Sequence, residues 1–139
     1  MKGFKKILIA VNGSKNLLKQ GLKLADDEGC WVTVVKVIPE YEGDLNLVGI
    51  SNIREVLDGK GEAAVEEINE VARAERCMIK TRLEKGKIHE KIVEVAEDEL
   101  CDIIVMGRKV KKGISRYFGN RTFSKVAKLA PCPVLVVNA

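Results

Sequence analysis

VMGRKVKKGISRYFGNRTFSKVAKLAPCPVLVV, residues 105–137, opens on an apolar run that stops at Gly107 and closes on another from Pro133 to Val137. Between them lie cations and glycines, then a helical pattern carried by Phe123, Val126 and Ala127. Apolar runs of this kind suit strands covered on both faces. Strand, loop, helix and strand in that order form the crossover that joins parallel neighbours.

The same alternation extends back to the N-terminus. Ile7 to Val11 reads as a strand ending in the turn Asn12-Gly13-Ser14, where Ser14 is placed to cap a helix. Leu17, Leu18, Gly21, Leu22 and Ala25 recur at helical spacing, with Gly29 as the stop, and Val32 to Ile38 is a second strand ended by Pro39. After a polar connection at residues 40–49, a helical pattern runs from Ile50 to about Glu75, weakened and open to a break at Gly59 and Gly61. Cys77 to Leu83 reads as a more polar strand suited to a sheet edge. Ile88, Ile92, Val95 and Ala96 mark a helix, and Asp102 to Met106 a fourth strand. The expected fold is a single α/β domain over residues 1–139, with a parallel sheet and helices on both faces.

A chain of 139 residues fits one domain with a sizeable core. The apolar runs are too short to cross a bilayer, and no cleavable leader pattern precedes the first strand, so a cytoplasmic location is expected. Cys30, Cys77, Cys101 and Cys132 form no C-x-x-C pair and have only His89 to join them in a metal site. Each stands at or before a strand and is expected to be a small apolar core residue. Charge is unevenly placed: residues 107–139 carry eight cations and no acid within a chain of net charge +4. Such a concentration points to an anionic partner or an acidic surface.

In open α/β sheets ligands bind beyond the carboxyl ends of the strands. Two turns qualify here, Val11-Asn12-Gly13-Ser14 and Met106-Gly107, with helix-start amides and basic side chains nearby to cradle phosphate. The bland alternative is a pair of tight-turn glycines beside a solvated basic surface. Neither G-x-x-x-x-G-K-[ST] nor G-x-G-x-x-G occurs. Lys36 is expected to carry its ammonium out to water, His89 to face solvent, and Trp31 to sit in the core or at the rim opposite the site. Glu62, Glu66, Glu67 and Glu70 read as a solvated helix face.

Lys6 to Ser14 (KILIAVNGS), Cys101 to Gly107 (CDIIVMG) and Ala130 to Val137 (APCPVLVV) resemble the universal stress protein family, in order and across nearly the whole chain. The resemblance implies a doubly wound, Rossmann-like domain with a five-stranded parallel sheet of order 3-2-1-4-5. It also implies a homodimer formed through the edge strand from Pro133 to Val137. Family members that bind ATP carry G-x2-G-x9-G-[ST] after the fourth strand and an aspartate at the end of the first. Here Gly107 matches the first glycine, while Val110, Asn120, Arg121 and Asn12 stand at the second glycine, third glycine, hydroxyl and aspartate positions. Gly113, Ser115 and Arg116 match the intervening pattern. Valine disfavours the positive φ that glycine permits, and Asn12 brings no charge to a metal.

The residues that the resemblance implies for an adenine nucleotide are Ala10, Val11, Asn12, Gly13 and Ser14 on the first turn, and Val37 and Ile38 against adenine. Met106, Gly107, Arg108, Lys109, Gly113, Gly119, Asn120, Arg121 and Thr122 complete the set around the phosphates. ATP is the expected ligand, magnesium entering only with it. The alternative is a member without nucleotide, acting as a dimeric module for protein partners. Nucleic acid is disfavoured because only Tyr117, Phe118 and Phe123 are aromatic in the basic segment. No nucleophile–base pair, paired carboxylates or metal ligands point to an enzyme.

Overall fold

The computed structural model describes residues 4–11, 15–26, 30–38, 50–108 and 120–138. Among them strands and helices alternate: β1 (Lys6–Ala10), α1 (Lys15–Asp26), β2 (Trp31–Ile38), α2 (Ile50–Ala74), β3 (Ile79–Lys85), α3 (Ile88–Asp98), β4 (Ile103–Arg108), α4 (Asn120–Leu129) and β5 (Val134–Asn138). The strands pair in parallel in the order β3-β2-β1-β4-β5. This is the expected topology.

Period-two alternation divides the core. Ile7, Ile9, Val34 and Val105 meet Leu17, Leu18 and Leu22 of α1 and Ile68, Val71 and Ala72 of α2 on one face. Leu8, Ala10, Val35, Ile104 and Met106 meet Ile92, Val95 and Ala96 of α3 and Val126 of α4 on the other. Both faces being covered explains why β1 is apolar at successive positions. β3 is an edge strand, as its polarity suggested, and begins two residues later than expected.

Helix α2 runs unbroken through Gly59 and Gly61, contrary to the break that those glycines invite. The reason is proximity. A Cβ on Gly61 would stand 2.7 Å from Leu83 Cδ2 and 3.0 Å from Ile38 Cδ1, so glycine there lets the helix lie against β2 and β3. On α4, Val126 is buried while Ala127 is exposed. Trp31 is 76% exposed and belongs to the rim, not the core. Cys101 is buried as expected, but Cys30, Cys77 and Cys132 are only half-buried. His89 is half-buried rather than solvent-facing, whereas Glu62, Glu66, Glu67 and Glu70 are exposed as expected.

Helices α2 and α3 end alike. Arg76 and Leu100 adopt positive φ, 55° and 53°. The Cys77 and Cys101 amides then donate to the carbonyls of Ala72 and Ala96 at 2.9 Å, with Arg76 to Arg73 and Leu100 to Glu97 beside them. That is the Schellman arrangement, in which glycine is the favoured left-handed residue. Leu100→Gly is therefore expected to raise stability by about 1 kcal/mol, read as a higher urea midpoint at unchanged slope. Leu100→Ala keeps the Cβ and should bring no such gain.

At the amino end of the sheet Asp102 ties β4 to β1. Its Oδ2 accepts from the amides of Lys5 at 2.7 Å and Lys6 at 2.9 Å, and its own amide donates to the Lys6 carbonyl at 2.8 Å. The two amide bonds hold the carboxyl below its usual value of 3.8. A depressed carboxyl stabilises the fold above the unfolded value and loses that contribution as pH falls through the folded one. Asp102→Asn should thus lower the denaturation midpoint at neutral pH. The gap from the parent should close as the parent is titrated below pH 3.8.

Candidate functional site

The strand order reverses at β1, which has β2 on one side and β4 on the other. β1 is also the short member of the three. Its last ladder residue, Ala10, is level with Val35 and Met106, whereas β2 continues to Ile38 and β4 to Arg108. The ladder is therefore notched at the sheet's carboxyl edge: past Ala10 the ends of β2 and β4 run on without a β1 pair among the described residues.

Backbone direction within the notch follows from the hydrogen bonds at its edge. Val11 donates to the Val35 carbonyl at 3.1 Å, and Gly86 donates to the Ile38 carbonyl at 3.0 Å. Because successive carbonyls alternate sides along a strand, Val37 turns its carbonyl toward the β1 side, and Ile38 is engaged toward β3. On β4 the Ile104 amide donates to Pro133 of the β5 side at 3.0 Å, so Gly107 faces β1. Val37 and Gly107 thus flank the notch from its two walls.

The sequence-predicted residues divide accordingly. Ala10, Val11, Val37, Ile38, Met106, Gly107 and Arg108 come together at the ends of three adjacent strands. Five of them serve the core through their side chains: Ala10, Val37 and Met106 are buried under α3 and α4, Val11 is buried under α1 and α2, and Ile38 is buried as well. Ile38 is turned away, as its hydrogen bond to Gly86 requires. Asn120, Arg121 and half-buried Thr122 open α4, whose first turn holds no acid. In this topology α4 starts at the carboxyl edge, where the amide end of a helix favours an anion. Asn12, Gly13, Ser14, Lys109, Gly113 and Gly119 lie outside the described residues.

A feature that the sequence pattern did not foretell lies beside the notch. Lys36 does not carry its ammonium fully into water. It is half-buried and lines a cavity of about 50 Å³ with Val11, Lys15, Leu18 and Glu67, among others. Burial lowers its pKa below the usual 10.5, and Glu67 acts in the opposite direction. Glu67 also lies 3.6 Å from Lys15 Nζ. A lysine inside an apolar strand was the visible signal. Its partner, a helix residue 31 positions on, was not.

The model of the universal stress protein family matches residues 3–138. A universal stress protein of Methanocaldococcus jannaschii is 33% identical over 145 aligned positions, covering 97% of this chain and 82% of the relative. The fold is similar to that of UspA from Lactobacillus plantarum, with TM-score 0.77 and 22% identity over 96% of this chain and 97% of that one. It is also similar to a universal stress protein from Archaeoglobus fulgidus solved in complex with dAMP, with TM-score 0.66 and 19% identity over 95% and 96% of the two chains.

Proposed function

The chain belongs to the universal stress protein family, and from that premise we propose that it binds an adenine nucleotide, ATP foremost, in the notch between β2 and β4. One observation carries the reading: the β1 ladder ends at Ala10, before those of β2 and β4, with the Val37 carbonyl and Gly107 turned toward the β1 side at the topological switch point. The Val37 carbonyl would accept from the adenine amino group. Gly107, lacking a side chain, would let phosphate approach the backbone closely, and the start of α4 would supply amides and positive potential. Arg108 and Arg121, with Lys109, would hold phosphate through charge, offsetting the poorer backbone approach at Val110 and Asn120. The dAMP held by the Archaeoglobus fulgidus protein supports the choice of ligand class.

Magnesium would enter on the phosphates. Among the described residues no group of three or more His, Cys, Asp or Glu side chains is placed to hold it. No catalytic role is proposed for any residue. The biological role inferred is that of a cytoplasmic stress sensor whose association with partners depends on nucleotide. It would form a homodimer through β5, an edge strand whose Val134, Leu135, Val136 and Val137 are half-buried in the single chain. No described helix is long and apolar enough to cross a membrane.

The test is calorimetric titration of ATP into the purified protein, after a denatured sample has been checked for carried-over nucleotide. Micromolar binding, or nucleotide released on denaturation, supports the reading. An empty protein that takes up none favours the second reading, a dimeric interaction module. Val110, standing where ATP-binding relatives place glycine, is the residue that speaks for it.

A further inference from the structure

Three helix ends share a sequence pattern. Ala-x-x-Glu-x-Cys occurs at residues 25–30, 72–77 and 96–101. In each, the cysteine amide donates to the alanine carbonyl, at 3.2 Å for Cys30 and 2.9 Å for Cys77 and Cys101. The pattern therefore closes a helix and sets its cysteine at the foot of the next strand, on the face which that helix covers. Helices α1 and α2 cover the same face and lead into β2 and β3, which are neighbours. Cys30 and Cys77 each lie two residues before the Val32↔Ile79 pair, the first of the β2–β3 ladder, so each stands just ahead of one of two adjacent strands. Both pack against the core cluster under α1 and α2 and line one cavity of about 270 Å³, together with Asp26 and Arg76.

We propose that Cys30 and Cys77 are a peroxide-oxidised dithiol, a reversible disulfide site at the amino end of the sheet, remote from the nucleotide notch. The two strands enter their ladder about 4.8 Å apart, and a disulfide spans roughly 4.4–6.8 Å between α-carbons. Each sulfur now donates to a carbonyl, Cys30 to Phe4 at 2.9 Å and Cys77 to Glu75 at 3.5 Å. Bridging exchanges these weak sulfur hydrogen bonds for a covalent bond and turns both side chains. The cavity gives a small oxidant access.

In the first step the Cys30 sulfur attacks hydrogen peroxide and takes a hydroxyl as the O–O bond breaks. The displaced oxygen leaves as water with the thiol proton, and Cys30 becomes a sulfenic acid. The Cys77 sulfur then attacks that sulfur, expelling the hydroxyl as a second water with its own proton. Two thiols lose two hydrogens, and peroxide is reduced to two waters. A small-molecule thiol reverses the bridge by exchange. Cys101 is the internal contrast in its placement: it is buried on the opposite face, away from this cavity, and burial first, with Cys132 beside it, pushes its thiol up to about 11. Burial, then Asp26 and Glu75, raise Cys77 as well, which suits it to the second, resolving step.

The experiment exposes the native protein to hydrogen peroxide, blocks residual thiols and maps peptides by mass. The expected product is lighter by two hydrogens and bridges Cys30 to Cys77, at a rate at least about tenfold above any modification of Cys101. Cys30→Ser should abolish the bridge, and Cys77→Ser should leave a sulfenic acid on Cys30 that dimedone captures. A first bridge between Cys101 and Cys132, separate over-oxidation of Cys30 and Cys77, or a Cys30–Cys77 bridge formed only in urea would overturn the proposal.

Discussion

Gly107→Val is expected to weaken nucleotide binding by at least about 100-fold, close to 3 kcal/mol, while the domain stays folded. Gly107 is the β4 residue turned toward β1 just past the last ladder pair, Ala10 with Met106, and on its other side it is level with Val137 of β5. It has no positive φ among the described residues, so a larger side chain meets no backbone penalty there. What valine adds is bulk at the place where phosphate must reach the backbone. Gly107→Ala should lose less. Titration calorimetry gives the affinity, and a thermal melt reports the fold. A folded valine variant with parental affinity would remove the notch as the nucleotide site.

Removing Ile9 from the core should cost the most stability, about 4 kcal/mol for Ile9→Ala. Ile9 is fully buried in β1 and lies under α1. The helix crosses it at Gly21, where an added Cβ would stand 2.7 Å from Ile9 Cδ1 and 3.1 Å from Cγ1. Gly21→Ala alone should therefore destabilise, overpacking outweighing the helix propensity of about 1 kcal/mol that alanine brings. In the Ile9→Ala background the same change should stabilise, since the blocking atoms are gone and the new methyl enters the cavity. Urea denaturation of the four proteins reads this reversal directly. Additive effects would mean that Gly21 is not the point of closest approach.

The order of strands and helices was legible because each carries its period in plain residues. Ile7 to Val11 is apolar without a break, and Leu17, Leu18, Leu22 and Ala25 recur at helical spacing. Where local pattern misled, a tertiary contact outweighed a local preference. Gly61 looked like a helix breaker, yet it is the position at which α2 touches Leu83 and Ile38. Lys36 looked like a side chain bound for water, yet it lies under α1 and α2 beside Glu67. Asp102 belonged to a familiar motif, but its two bonds to the Lys5 and Lys6 amides join residues 96 and 97 positions apart, beyond any local pattern. The three Ala-x-x-Glu-x-Cys helix ends were present in the letters. Only the Schellman hydrogen bonds after Arg76 and Leu100 give two of them their meaning.

The class of fold, the family and the chemical identities at the end of each strand were settled by the residues alone, because these depend on residue type and on spacing within one element. It took the packed chain to establish that the β1 ladder ends before those of β2 and β4, that Val37 rather than Ile38 turns its carbonyl toward β1, and that Met106 belongs to the core. The cause is the same in each case. Ladder register and backbone direction belong to pairs of strands, so no single strand's sequence carries them.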